Sequence, residues 1–413
     1  MTSIPSFAED SRVEIVPFSR QDEGEQVVVG RTDVGTFLAL PREAVEVLDD
    51  LAAGCTVGEA RDLYHQRHGE IPDLEDFLGL MQEKGFVAVA GNLVAVAPTA
   101  AASRKYHFEN LPEWLPRLFF GRPALCVYGL LIALGTGIVL RRPDLVPGRG
   151  ALYFQRFHTL KILAVVGLSC VTLFLHEMSH LLAARAVGVK SRLGIGHRLW
   201  ILVAETDLTD LWSVPRNKRY LPILAGPLTD LVTASLLLCT LDAADRGWIH
   251  LPPLAREMTR AVFFSYVLQL SWQLFFFVRT DLYFAVATFF NCKNLLGDTE
   301  QFLKNQLARA LPSVRPVDQS HIPAAERRVI RAYSAVWLLG RGVAFFLLFT
   351  VTLPLTVAYL EKIGGTLRHG FGEDGLAYLD ALMMTVLSMT LFGVGMGLWI
   401  RSLIRQWKPR ALA

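Results

Sequence analysis

Apolar and polar positions follow two different regimes along the chain, and the change falls near residue 123. Beyond it lie six apolar stretches, at about 123–140, 161–187, 221–241, 261–290, 333–360 and 377–400. Each approaches the roughly 20 residues a helix needs to cross the hydrocarbon core of a bilayer. The fourth is interrupted by Arg279 and Asp281, which predicts a broken helix rather than a continuous span. The pattern predicts a multi-pass α-helical membrane protein with about six transmembrane helices and the lipid bilayer as its surroundings.

Upstream, shorter periods predict a small α+β domain. β-branched runs at 13–16, 27–29 and 36–40 read as strands. A helix follows from Pro41, with Val45, Leu48 and Leu51 at helical spacing, and stops at Gly54. A second opens on the capping box Thr56-x-x-Glu59 and ends near Gly69. A third starts at Asp73, carries Leu74, Phe77, Leu78 and Met81 on one face, and stops at Gly85. Residues 86–96 read as a hairpin around Gly91-Asn92, and 98–103 as a linker. The expected organisation is a winged-helix-like domain over 1–100, a linker and interfacial segment over 101–122, and a six-helix membrane domain over 123–413. No signal peptide is expected, because residues 1–20 lack a basic-then-apolar arrangement.

Composition narrows the class further. The chain is 52% hydrophobic and 19% charged, against about 25% charged for a soluble domain. A net charge of +3 makes no electrostatic case for nucleic acid as a partner. Five scattered cysteines with no C-x-x-C argue against a disulfide framework or a cysteine zinc site. Lys and Arg set the orientation: the segments 104–122, 188–220, 291–332 and 401–413 hold 21, and 141–160, 242–260 and 361–376 hold 9. That bias predicts cytosolic N- and C-termini.

His176-Glu177-Met178-Ser179-His180 is an H-E-x-x-H sequence inside the second apolar stretch. Residues four apart share a helix face, so both imidazoles can bind one zinc ion. The glutamate between them can take a proton from a water that the metal activates. Ionisable groups are expensive at such depth and mark a functional site. A polar helix–helix contact without metal is the plainer alternative. A catalytic zinc needs a third protein ligand, and Asp281 is the strongest candidate, with an ion pair to Arg279 as its alternative. Depth supports it: His176 and His180 lie roughly 22–29 Å along their span and Asp281 about 30 Å along a span of the same direction, at 1.5 Å per residue.

An H-E-x-x-H in one span and a distant aspartate in a broken one resemble the site-2 protease family of intramembrane zinc metalloproteases. Ala225-Gly226-Pro227-Leu228-Thr229-Asp230 resembles that family's A-G-P-x-x-N segment, with Asp230 in place of asparagine. Thr280-Asp281-Leu282-Tyr283-Phe284 resembles the T-D-G-Y-Y motif of peptide zinc metalloproteases found beside modified-peptide gene clusters, with Leu282 in place of glycine. The resemblance covers about 160–300. It implies Zn2+ on His176, His180 and Asp281, Glu177 as the catalytic residue, and Gly226 and Asp230 against the substrate, with a metal role for Asp230 left open.

Residues 10–97 resemble a PqqD-like domain, the leader-recognition element of ribosomally made, modified peptides. The resemblance rests on Leu51-Ala52-Ala53-Gly54 and on Phe77-Leu78-x-x-Met81-x-x-x-Gly85-Phe86-Val87. It implies a peptide bound as an added strand at a sheet edge; a structural or dimerising winged helix is the alternative.

The remaining polar residues read more plainly. His197 is expected in a loop, and 193–203 as loop or edge strand; Glu205, Asp207 and Asp210 read as solvated charges. Arg341 is expected to snorkel, Gly393-x-x-x-Gly397 to pack helices, and 291–330 to form an interfacial amphipathic helix and linker. The expectation is an intramembrane zinc endopeptidase of a bacterial cell membrane that cleaves the leader of a modified peptide. Two alternatives stay open: regulated proteolysis of a membrane-anchored signalling protein, and a non-enzymatic peptide receptor or export partner.

Overall fold

A computed structural model describes residues 7–24, 26–89, 111–112, 114–198, 201–292, 294–311, 315–319, 322–371 and 374–407. The chain divides into two compact units. The first comprises 1–111, 184–192 and 207–220, and the second 112–183, 193–206 and 221–413.

In the first unit, β2 (Ser19–Asp22), β3 (Gln26–Arg31) and β4 (Thr36–Pro41) form an antiparallel sheet, and β1 (Val13–Ile15) pairs antiparallel with β5 (Val87–Val89). Against them pack α1 (Arg42–Ala52), α2 (Val57–His68) and α3 (Leu74–Glu83). Val29, Leu48, Leu51, Leu78, Met81 and Phe86 are the buried centre. The helix boundaries are those the caps dictate. Thr56 Oγ1 accepts from Glu59 N–H and the Glu59 carboxylate accepts from Thr56 N–H, while Gly69 closes α2 at φ +77°, where a side chain would be strained. Strand β2 was not expected, because Ser19-Arg20-Gln21-Asp22 carries no apolar alternation; it pairs with β3 through the backbone ladder, and Ser19 Oγ also donates to Gly30 O at 3.0 Å. The Gly91-Asn92 turn and the 98–103 linker lie outside the described residues.

This unit extends beyond the expected 1–100, and Arg219 shows why. Its guanidinium is 2% exposed. Nε donates to Leu211 O (3.0 Å) and Val214 O (2.9 Å), and Nη2 pairs with Glu23 of the β2–β3 turn. A buried cation needs partners of this kind, although Nη1 has no hydrogen-bond partner among the described residues. Asp210, expected in solvent, is also buried. On the opposite edge, Arg31 donates to Asp33 (2.7 Å) and to Gly85 O, and its hydrogen bonds hold the Asp33 carboxyl below its ordinary pKa.

The second unit is helical: α4 (Trp114–Phe120), α5 (Arg122–Arg141), α6 (His158–Ala186), α7 (Arg216–Asp245, from 221 on), α8 (Pro253–Trp272), α9 (Asp281–Phe290), α10 (Leu295–Ala310), α11 (Ala324–Leu347), α12 (Leu353–His369) and α13 (Gly375–Trp407). Among the described residues, four helices are long and apolar enough to cross a membrane: Trp114–Arg141, His158–Ala186, Arg216–Asp245 and Glu326–His369. Six such helices were expected. The fourth stretch is broken between α8 and α9, as Arg279 and Asp281 predict, and the sixth stretch forms α13. Leu130, Leu140, Val166, Phe174, Phe345 and Phe349 face outward on these helices, an arrangement suited to lipid rather than water.

Two strands, β6 (Arg192–Arg198) and β7 (Ile201–Asp207), pair where a loop or edge strand was expected; the His197 side chain lies outside the described residues. The start of α6 is capped from far away in sequence, since Asp380 of α13 accepts from the backbone N–H of His158 (2.7 Å) and Thr159 (2.9 Å). The Arg341 guanidinium lies 4.4 Å from the Phe277 ring centre and 4.7 Å from that of Trp337. Gly393 and Gly397 have nothing within 4 Å of where a Cβ would stand, so no helix packs closely on that pair among the described residues. Cys292 is buried in the α9–α11 core, and burial pushes its thiol up to about 11.

Candidate metal centre

The centre is assembled from three elements: the C-terminal half of α6, one face of α7 and the first residue of α9. Helical spacing places His176 and His180 together on α6, with their Nε2 atoms 3.1 Å apart. Asp281 Oδ2 lies 3.3 Å from His176 Nε2, and Asp281 Oδ1 lies 3.5 Å from His180 Nε2. Both histidines are buried. Among the described residues these three form a group able to hold a metal ion.

The outer ring nitrogens determine what the inner ones present. His180 Nδ1 is 2.7 Å from the Pro222 carbonyl oxygen, which can only accept, so Nδ1 carries the proton. His176 Nδ1 is likewise 2.7 Å from Asp230 Oδ2. A neutral imidazole with its proton on Nδ1 presents the Nε2 lone pair to the other ring and to the Asp281 carboxylate. The two Nε2 atoms and the two carboxylate oxygens would then repel at this range unless a cation sat among them, and two imidazoles with a carboxylate are a donor set that would suit a zinc ion. The imidazole–carboxylate contact behind His176 is the usual support for a metal-bound histidine.

Helix α7 supplies that support at a regular interval. Pro222, Gly226 and Asp230 recur every four residues and share one face. Gly226 lies between the other two, and a Cβ there would collide with both Nε2 atoms and stand 2.6 Å from His176 Cδ2. Glycine keeps this space open. Asp230 is 1% exposed and also accepts from Gln269 Nε2 at 3.0 Å. The structure thus places Gly226 and Asp230 beside His176 and His180. Asp230 positions His176, and Gly226 makes room.

The break between α8 and α9 is what delivers Asp281. Thr280 caps α9, accepting from Tyr283 N–H at 3.3 Å, so Asp281 opens the helix where a carboxylate is favoured. Gln273, at the end of α8, donates from Nε2 to Asp281 Oδ2 at 2.9 Å, and its carbonyl accepts from Thr280 Oγ1 at 3.2 Å. Leu282 fits in place of glycine because it is already inside α9; the non-glycine residues with left-handed backbone among those described are Phe157 and Asn291.

Glu177 lies beside the ligands, nearly buried, and its Oε2 accepts from Thr206 Oγ1 of β7 at 2.8 Å. Four supporting groups were invisible in the sequence: Gln269, Gln273, Thr206 and the Pro222 carbonyl. None belongs to a periodic motif.

Asp230→Asn tests the support directly. The amide oxygen still accepts from His176 Nδ1–H, but the charge that raises the basicity of the ring is gone. Metal affinity is expected to fall about 10–100-fold, measured by competition with a chelator, with helicity unchanged.

Comparison with protein-family models, with curated proteins and with solved structures returned no match.

Proposed function

We propose that the protein is a membrane-embedded zinc endopeptidase, with the metal on His176, His180 and Asp281 and Glu177 as the general base. The observation that carries this reading is the convergence of two buried imidazole Nε2 atoms, 3.1 Å apart, with the two oxygens of one carboxylate at 3.3 and 3.5 Å from them, and a glycine left open beside the pair. A zinc ion held there would supply Lewis acidity toward a carbonyl and toward water.

The chain's own residues account for the rest. Asp230 and Pro222 O fix both imidazoles in the tautomer that presents Nε2 inward. Gln273 orients Asp281. Glu177, held by Thr206, accepts a proton from the attacking water and returns it to the leaving amine. The outward-facing apolar helices favour a substrate that is itself at the membrane. The N-terminal domain, which resembles leader-recognition domains, favours a peptide with a leader segment.

The test is metal content and cleavage on one preparation. Full-length protein purified without chelator should carry one zinc per chain, and His180→Ala should carry none. The wild type should cleave a leader-bearing peptide encoded beside it. Zinc-free wild-type protein would end the enzymatic reading in favour of a peptide receptor.

Orientation follows from the 21-to-9 distribution of basic residues, which favours cytosolic termini. In a cysteine-free background, an impermeant thiol reagent added outside intact cells should label a cysteine introduced at Gly370 and miss one at Ser313. The opposite labelling would invert the assignment.

A further inference from the structure

Away from the metal centre, a cavity of about 230 Å³ opens between α10 and the beginning of α11. Arg309, Arg327 and Arg331 line it over an apolar floor that includes Phe302, Ile322 and Ile330, and no aspartate or glutamate is among its lining residues. Ile322 and Ile330 are buried, which makes the floor part of the core rather than loose surface.

The walls are fixed by hydrogen bonds. Asn305 Nδ2 donates to Val317 O and Asn305 Oδ1 accepts from Val317 N–H, both at 2.8 Å. Gln319 Nε2 donates to Asp298 O at 2.9 Å. Arg327 is held by its Nε on Ile322 O at 2.7 Å, and Arg309 leans on Gln306 at 2.9 Å. Arg309 and Arg331 bring two further guanidinium groups to the same concave surface as Arg327, a donor arrangement that suits an anion with several acceptor oxygens.

The helix that carries two of these arginines points to the source of the anion. Glu326–His369 is one of the four helices suited to cross a membrane; Arg327 and Arg331 occupy its first two turns, and a span beginning at about residue 333 would put them at the level of lipid headgroups. Below Arg331, Leu338 and Phe345 recur every seven residues on the same face, followed by Phe349, and all three are exposed. A charged pocket with an exposed apolar stripe leading away from it matches a phosphate joined to acyl chains.

We propose that this cavity binds the phosphate of an anionic phospholipid, with the acyl chains along the Leu338–Phe345–Phe349 stripe. The proposal needs the protein to be in a membrane and does not depend on the protease reading.

Native mass spectrometry of the full chain, released from neutral detergent with added phosphatidylglycerol or phosphatidylcholine, reads the binding. Wild-type protein should retain phosphatidylglycerol over phosphatidylcholine by about tenfold or more, and R309Q/R331Q should lose that preference. The double variant R315Q/R328Q removes the same charge outside the cavity and should keep it. Inorganic phosphate at millimolar concentration should not displace the lipid. Equal retention of the two lipids, equal loss in both double variants, or displacement by inorganic phosphate would each overturn the assignment. Unfolding midpoints of the lipid-free variants, expected within a few degrees of wild type, show that a lost preference is not lost fold.

Discussion

Glu177→Gln is expected to lower peptide cleavage by about 10²–10⁴-fold while leaving the metal content unchanged. The glutamine occupies the same volume, and its amide oxygen can still accept from Thr206 Oγ1, which holds the native carboxylate at 2.8 Å. What it cannot do is take up and return a proton. The ligand group contains His176, His180 and Asp281 and not Glu177, so the substitution leaves all three donors in place. Zinc analysis and a cleavage assay on one preparation read both halves. Retained turnover would move the general base elsewhere, and lost zinc would make Glu177 a ligand.

How much of this site the sequence discloses depends on what kind of residue each part uses. The two histidines and Glu177 are legible because helix periodicity alone places positions 176 and 180 on one face. Asp281 is legible because a carboxylate is conspicuous in an apolar stretch, and its interruption of that stretch also predicts the break between α8 and α9. Asp230 is half legible: its charge stands out, but only the fold shows that it faces His176 Nδ1. Thr206 and Gln273 are illegible. A hydroxyl on a strand and an amide at a helix end have no period, and Thr206 reaches Glu177 across 29 residues of chain.

The same division runs through the fold. Helices α1 to α3 end where Gly54, Gly69 and Gly85 and the Thr56 and Asp73 caps say they should, since backbone chemistry sets those points locally. Strand β2 has no local signal, because β3 supplies its partners. The inclusion of 207–220 in the first unit comes from the packing of 209–213 against β2 and β3 and from the buried Arg219, whose partner Glu23 is far away in sequence. Contacts of that kind are decided by tertiary packing, and composition cannot announce them.

Gly226→Ala should lower metal retention at least tenfold, which makes it the sharpest test of the centre. In an exposed helix interior, alanine is favoured over glycine by about 1 kcal/mol, so any loss of stability at this buried position comes from packing and not from helix propensity. The added methyl would nevertheless stand against both Nε2 atoms and 2.6 Å from His176 Cδ2, where carbon contacts settle at about 3.5–4.0 Å. Withdrawing α7 is no remedy, because the same face of that helix supplies Pro222 O and Asp230, each 2.7 Å from a ring nitrogen. Either the histidines turn away from Asp281 or they lose the partners that set their tautomers, and in both cases the three-atom cluster opens. Metal content should fall at least tenfold, in line with the loss seen when groups supporting a ligand are removed. Gly137→Ala on α5 is the control: nothing lies within 4 Å of its Cβ position, and both metal and stability should stay as in the wild type. A Gly226→Ala protein that keeps its zinc would mean that the metal is bound elsewhere, and the His176–His180–Asp281 assignment would fall with it.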